Sequence, residues 1–526
     1  MNESLAPPSP ERAASMSSAT PSANGTTRAV VRGGSYSALG QVLTLAASLI
    51  ATPFVIRLLG PEQYGLLTLL NILIGYVLLA DLGMSVASTK FATDAHAKAE
   101  SPREAAVVWT AFALGVVPSA TIALVLWFFA GDIAVGFLRL DGGSAHEATV
   151  SLRIASVGFF ARAIGGIFNT PQLVRMRWDL NVAITSGGAT VQVLIVPVVL
   201  ALGGGLIEAV LASTAVGIAT TALHVAVSSR LQPLLWPPSF DAALIRPLAR
   251  FGGLMVMSHG TFLVLTNIDR FVIARVESVT EVAYYAVAAA AAAVLNIMPY
   301  AVAQPLLPGF SLLLAKDERA EARAMYVTLL RIMALALIPA VAVLFVVARP
   351  FFEVWAGPAY ADHSTVPFLI LVVGVAANAF GAVPGNVLMA ADRVSVMARY
   401  HLVQLIPYLA VTVVFVATLG PVGAAMAWAG RAIVTAALYL RVTKAVVPPD
   451  PASERRRLAP YLTAAVILGT PAAAIFLASP PLVLGAAVMT VALTAYVVFV
   501  WARLLSVSER ALIRRLVPGS RVTEAA

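Results

Sequence analysis

Residues 35–93 read SYSALGQVLTLAASLIATPFVIRLLGPEQYGLLTLLNILIGYVLLADLGMSVASTKFAT. Two apolar runs, Ser35–Leu59 and Tyr64–Ser88, are separated only by Gly60-Pro61-Glu62-Gln63. At about 1.5 Å per residue, each run is long enough as a helix to cross a hydrocarbon layer of about 30 Å. Gly-Pro cannot continue the first helix, so the pair is expected to fold back as an antiparallel hairpin. One acid, Asp81, interrupts the second run. A carboxylate at mid-membrane depth costs a few kcal/mol unless it faces protein or water.

The rest of the chain repeats this pattern. It has 526 residues, 60% hydrophobic and only 12% charged, with mean hydropathy +0.88. Soluble domains carry about 25% charged residues, so the class is all-α and polytopic in the membrane. Further apolar runs are Ala106–Ala130, Ser151–Thr170, Val182–Leu202, Ile207–Ser228, Phe251–Ala274, Val282–Leu307, Met325–Ala348, Pro367–Ala390, Tyr400–Leu419, Val422–Val442, Ala459–Ala478 and Leu482–Leu504. That makes about fourteen transmembrane helices. The net charge of +9 does not point to nucleic acid, because the bases sit in short loops. Counted alternately from a cytoplasmic amino terminus, one set of loops holds most of the Lys and Arg. Its members include Lys90, Lys98, Arg103, Arg175, Arg177, Arg230, Arg246 and Arg250, then Arg393, Arg399, Arg455, Arg456 and Arg457. This is the positive-inside bias, and it places both termini in the cytoplasm.

Phe54-Val55-Ile56 and Phe271-Val272-Ile273 each end a span before a short polar turn and an aromatic residue. The copies lie six spans apart, so they share one orientation and predict a parallel repeat. The expected organisation is a disordered cytoplasmic tail (1–33), an N-lobe of six helices (34–229) and a cytoplasmic linker (230–247). A C-lobe of six helices (248–443), a cytoplasmic loop (444–458), a helix pair (459–505) and a second tail (506–526) follow. The first 27 residues lack the apolar core of a signal peptide. Cysteine is absent, which excludes disulfides and thiolate metal sites. There is no phosphate-binding loop for ATP, the six histidines lack metal-ligand spacing, and no catalytic constellation is visible. The chain is therefore expected to be no enzyme and to need no cofactor or metal.

Several stretches resemble the polysaccharide flippase family of the multidrug, oligosaccharidyl-lipid and polysaccharide exporter superfamily. They are RLLGPEQYGLLTL with ADLGMSVASTKFAT, TPQLVRMRWDLNVAITSGGA with ALGGGLIEAVLAS, NIDRFVIARVESVTEVAYYAVA, and LMAADRVSVMARYHLVQLIPYL with LGPVGAAMAWAGRAI. The resemblance implies a carrier in the cytoplasmic (inner) membrane of a bacterium. Its cargo would be undecaprenyl-pyrophosphate-linked oligosaccharide repeat units, moved by alternating access for cell-surface polysaccharide such as lipopolysaccharide or exopolysaccharide. The expected partners are this lipid-linked oligosaccharide, the phospholipid bilayer and polysaccharide polymerase machinery, with no nucleic acid. A cation-coupled multidrug exporter of the same superfamily is the first alternative. A membrane-embedded polysaccharide polymerase or glycosyltransferase is the second, but it would call for a large outer loop or loop carboxylates.

Arg162 and Arg431 lie deep in spans, one in each lobe. A guanidinium at that depth costs at least about 2.5–3.5 kcal/mol against lipid, so each should face a protected polar cavity. Its planar donors suit a pyrophosphate. The competing reading is a structural ion pair or carbonyl contact. Arg270, nearer the outer end of its span, is a third candidate for pyrophosphate. Asp81 and Asp269 are candidates for ion coupling, since a carboxylate in a low-dielectric cavity can exchange a proton or cation; for Asp81 a packing role competes. Asp269 and Arg270 are neighbours in sequence and, on one helix, are expected not to face each other. Gln192, Asn267 and other amides are expected to bond between helices.

Overall fold

The protein was analysed as a computed structural model, which describes residues 23–296, 306–448, 451–478, 481–504 and 510. Among these residues the structure is helical and without strands. The quoted stretch is one helical run, Ala23–Ala97, broken at Gly60, whose φ of +76° no helix accepts. It divides into α1 (23–59) and α2 (61–97). Pro61 opens α2, where its missing N–H has no partner to lose. The hairpin is followed by α3 (Ser101–Phe128), α4 (Gly142–Phe168), α5 (Trp178–Ala201) and α6 (Leu206–Leu231). Next come α7 (Ala242–Val276), α8 (Val279–Ala293), α9 (Leu306–Ala315), α10 (Arg319–Trp355) and α11 (Pro358–Ala390). The run Val394–Thr443 divides at Gly420, φ +59°, into α12 (394–419) and α13 (421–443). The last two helices are α14 (Pro451–Ala478) and α15 (Leu482–Phe499). With α8 and α9 as one crossing, the order is consistent with about fourteen spans.

Two boundaries differ from expectation. Residues 23–33, expected as tail, are helical: the helix runs through Gly33-Gly34 into the span that follows, although each glycine costs a helix about 1 kcal/mol. Residues 451–458, expected as loop, form the first turns of α14. Pro451 stands where proline starts a helix, and Glu454 to Arg457 are good helix formers.

The repeat is written into the turns and into the packing. Positive-φ residues recur in corresponding turns, Ala99 with Asp317, Arg139 with Gly357, Met176 with Asp392 and Gly203 with Gly420. Each pair is separated by 216 to 218 residues (176 to 392, 99 to 317). A seam of small residues recurs in the same register. Gly158 and Gly165 of α4 abut Thr214 and Thr221 of α6, while Gly374 and Gly381 of α11 abut Ala429 and Ala436 of α13. Glycine spaced by seven lets two helices approach closely along one stripe.

We call the end holding the Gly60 and Gly420 turns the hairpin end, and the other, where 232–241 lies, the linker end. At the hairpin end both lobes share one core, in which Leu66, Leu69 and Phe159 join Ile273, Tyr285, Phe352 and Phe368. Gly65 of α2 allows the closest approach there: a Cβ on it would stand 2.1 Å from the Val279 carbonyl oxygen of α8. At the linker end the cores are separate. One gathers Met84, Trp109, Phe168, Leu235 and Leu248; the other gathers Leu306, Phe310, Met333 and Val383. The lobes are thus joined at the hairpin end and part towards the linker end, except along α7. The start of α7 packs on the N-lobe through Leu244 and Leu248. Further along, Leu265 packs against Tyr408 and Ala427 of the C-lobe. The helices α14 and α15 lie against α10, where Ala464, Leu468, Met489 and Tyr496 meet Ala342.

Candidate functional site

Proline shapes the contact between lobes at the hairpin end. Pro53 of α1 has no N–H, so the Leu49 carbonyl loses its helical donor. Trp355 of α10 supplies one, donating from Nε1 at 3.0 Å. Val354 lies in the last turn of α10, where a carbonyl has no intrahelical donor, and Arg57 of α1 donates to it from Nη2 at 2.8 Å. Each lobe therefore satisfies a carbonyl left without a helical donor in the other. A cavity of about 460 Å³ lies between them, lined by Pro53, Phe54, Arg57, Phe351, Val354 and Trp355.

Arg162 lies on α4, about three-quarters of the way towards the linker end, and is partly buried. Its Nη2 donates to Gln192 Oε1 of α5 at 2.6 Å. Gln192 Nε2 in turn donates to the Ser213 carbonyl of α6 at 2.9 Å. The carbonyl fixes which way the amide points, since it can only receive the NH₂ side. Gln192 thus holds Arg162 while leaving its charge unneutralised.

Arg431 lies midway along α13. Its guanidinium carbon is 5.2 Å from the Tyr408 ring centre and 5.7 Å from that of Trp428. Its Nε is buried and has no hydrogen-bond partner, as has the Tyr408 hydroxyl. Aromatic faces stabilise a cation through their quadrupole without cancelling its charge. One turn away, Thr435 donates to Gln404 Oε1 at 2.9 Å, and Tyr439 and His401 are 3.1 Å apart.

Arg270 and Asp269 depart from expectation. Although adjacent, they are ion-paired, with Nη1 3.3 Å from Oδ1, because the long arginine side chain folds back along α7. Nη1 also donates to the Thr266 carbonyl and to Asn267 Oδ1, each at 3.2 Å. Asp269 is 1% exposed and its Oδ2 accepts a short hydrogen bond from the Tyr285 hydroxyl of α8. Arg270 stands 5.5 Å from the ring of the same tyrosine. Asp81 lies on α2, but its side chain is outside the described residues.

The structure therefore groups Asp269, Arg270 and Tyr285 in the C-lobe, with Arg431 and Tyr408 deeper in the same lobe. It sets Arg162 with Gln192 in the N-lobe. Among the described residues no hydrogen bond or ion pair joins Arg162 to Arg431. Tyr285, Tyr408 and Trp428 escaped the sequence reading, since an aromatic residue in an apolar run looks like lipid-facing or packing surface. Among the described residues no group of acids and histidines is arranged to hold a metal ion.

A helical bundle of two repeated lobes with an added helix pair is the architecture of two-lobed membrane transporters. The chain belongs to the family described as polysaccharide biosynthesis protein, whose pattern matches residues 54–365. A Shigella flexneri protein carrying the provisional name O-antigen transporter is 22% identical over 419 residues, 78% of this chain and 96% of that protein. Among solved structures, the lipid II flippase MurJ in an inward closed conformation superposes with a TM-score of 0.66 at 12% identity. That match covers 92% of this chain and all of the other. An inward-facing multidrug resistance transporter of the MATE family, in the MOP superfamily, gives 0.63 at 13% identity, over 78% and 94%. The likeness to these structures is one of fold.

Proposed function

We propose that this protein is a flippase for lipid-linked oligosaccharide. In this reading it carries undecaprenyl-pyrophosphate-linked repeat units across the bacterial cytoplasmic membrane for surface polysaccharide synthesis, as a carrier and not an enzyme. The linker end and both termini face the cytoplasm, in keeping with the loop charges. Family membership and the transporter relative support the cargo class. A polysaccharide polymerase is the natural consumer of the flipped unit at the outer face.

The observation that carries this reading is electrostatic. Arg162 and Arg431 stand one in each lobe, and each is held by neutral groups: an amide in one case, aromatic rings in the other. A pyrophosphate is the strongly anionic part of such a lipid and must lose water to cross. Two guanidinium groups offset that loss with charge-assisted hydrogen bonds. In a two-lobed carrier the substrate site lies between the lobes near mid-membrane. Arg270 is already neutralised by Asp269, so we assign it a structural role. Asp269 is equally occupied, which takes away the free carboxylate that the drug-exporter alternative would use there.

Arg162→Ala and Arg431→Ala are each expected to abolish surface polysaccharide in a deletion strain, with membrane abundance near wild type. Lys at either position should recover only part of the activity, because the charge stays but the planar fork is lost. Full complementation by both Ala variants would refute the binding role. Loss of the protein itself would mark the arginines as structural.

A further inference from the structure

The segment between α6 and α7 is fastened to the flank of α3. Trp109 donates from Nε1 to the Leu235 carbonyl at 2.6 Å. The Asp241 N–H donates to Thr110 Oγ1 at 3.1 Å, and Gln232 Nε2 to the Ser101 carbonyl at 2.9 Å. The Trp109 ring meets Trp236 edge-on at 5.0 Å and Phe240 at 6.2 Å. Leu235 is fully buried beneath them. Asp241, the acid of this segment, is engaged as the cap of α7, accepting from the Ala243 N–H at 2.9 Å.

These contacts fix how deep the segment sits. With 28 residues, α3 is about 42 Å long, more than the hydrocarbon layer of about 30 Å. Trp109 follows Ser101 by eight residues, or about 12 Å along the axis. Shared between the two ends, the excess leaves Ser101 beyond the hydrocarbon and Trp109 just inside its edge, so the segment fastened along this stretch spans the layer where headgroups meet acyl chains.

The outward side of the segment is apolar and basic. Leu234 is 51% exposed, Trp236 51%, Phe240 63% and Ile245 45%. Arg230, Arg246 and Arg250 are also exposed, and none of them has an ion-pair partner among the described residues. Tryptophan and phenylalanine beside arginine, at this depth, are the components of a surface that seats in a charged membrane interface.

We infer that residues 230–250 form a binding site for an anionic phospholipid of the leaflet at the linker end. The aromatic side chains lie among the upper acyl carbons, and the three guanidinium groups bind the headgroup phosphate. The occupant is a lipid because depth and charge coincide. A zwitterionic lipid would satisfy the apolar part but brings no net negative charge to the three cations. Since Leu244 and Leu248 pin the start of α7 to the N-lobe, a lipid bound here braces the helix that runs between the lobes.

The test uses the full-length chain in vesicles of phosphatidylcholine, with and without about one part in four of phosphatidylglycerol. Each arginine near an anionic surface contributes about fivefold to binding. Arg230→Gln, Arg246→Gln and Arg250→Gln combined should therefore lower phosphatidylglycerol retention, read by native mass spectrometry, at least fivefold. The corresponding triple Lys variant should retain it, which also reports on folding. Lipids brominated near the headgroup should quench a tryptophan emission component that Trp236→Phe removes. Equal phosphatidylglycerol retention by the triple Gln variant and wild type would overturn the site. So would quenching unchanged in Trp236→Phe, which would place the segment in water, as a docking face for a soluble protein.

Discussion

The two lobes share a scaffold and differ in how they handle charge. In both, the fourth and sixth helices of the repeat meet along two glycines seven residues apart. Counted along these seams, Arg162 corresponds to Asn378 and Arg431 to Val216. The buried arginines are therefore not repeat partners; each lobe acquired its own at a different helix. The N-lobe holds its arginine with an amide tied to a backbone carbonyl. The C-lobe surrounds its arginine with aromatic rings and has an ion pair near the hairpin end, Asp269–Arg270, where the N-lobe has its buried pair, Glu104–Arg175, at the linker end. By the register of the repeated Phe-Val-Ile, the N-lobe has Thr52 and Pro53 at those two positions. A repeat preserves backbone packing because helices meet only where small residues allow it. Polar side chains are free to diverge wherever a local partner offsets their desolvation.

The largest expected effect breaks the C-lobe pair. Asp269→Ala takes the carboxylate from the half-buried Arg270 and the acceptor from the buried Tyr285 hydroxyl, a loss of up to about 3–5 kcal/mol for one half of a buried pair. Membrane abundance and thermal unfolding in detergent should both fall. Asp269→Ala with Arg270→Ala should recover part of the loss, whereas simple additivity would mean that the ion pair contributes nothing.

The seams come next. A Cβ on Gly374 would stand 2.7 Å from the Ala429 Cα, and one on Gly381 3.4 Å from the Ala436 Cα. Gly374→Ala is expected to destabilise by about 1–3 kcal/mol, the range for overpacking, and Gly381→Ala by clearly less. In the N-lobe, Gly165 faces a threonine hydroxyl 2.8 Å away, and Gly165→Ala should fall between the two. An inverted order in thermal unfolding would show that the seams do not set lobe stability.

Gln192 separates charge from position. Gln192→Leu removes one neutral-to-charged hydrogen bond, worth about 1.5–3 kcal/mol at most, and leaves the Arg162 charge in place. Gln192→Glu keeps an acceptor and neutralises that charge. If the charge is what the cargo requires, transport per molecule should suffer more with Glu than with Leu. The opposite ranking would mean that Gln192 matters only for packing.

The smallest expected effect concerns the contact between lobes. Trp355→Phe keeps a ring but leaves the Leu49 carbonyl without its donor, a change of about 1 kcal/mol, or about fivefold in the balance between closed and open hairpin ends. Because the chain has no cysteine, a single cysteine placed at the hairpin end would report this as faster labelling. Arg57→Gln should act in the same direction. Unchanged labelling in both would show that closure rests on the shared apolar core alone.

Hydrophobic run length and the Gly-Pro turns determined an all-helical chain of about fourteen crossings and their order, because the bilayer allows only helices of a given length. The repeated Phe-Val-Ile exposed the lobes, because a duplicated turn keeps its chemistry. The depth of Arg162 and Arg431 could be counted along their spans. Their partners could not, since Gln192 is thirty residues from one and Tyr408 twenty-three from the other. Sequence spacing on one helix also suggested that Asp269 and Arg270 would point apart, but the long arginine side chain, laid back along α7, brings them together. Tertiary structure alone decided which arginine is neutralised and which is not, that the segment after α6 is clamped onto Trp109, and that Trp355 serves a carbonyl orphaned by Pro53. Apart from the Asp269–Arg270 pair, these depend on which side chains meet across helices far apart in the chain, and apolar periodicity carries no record of that.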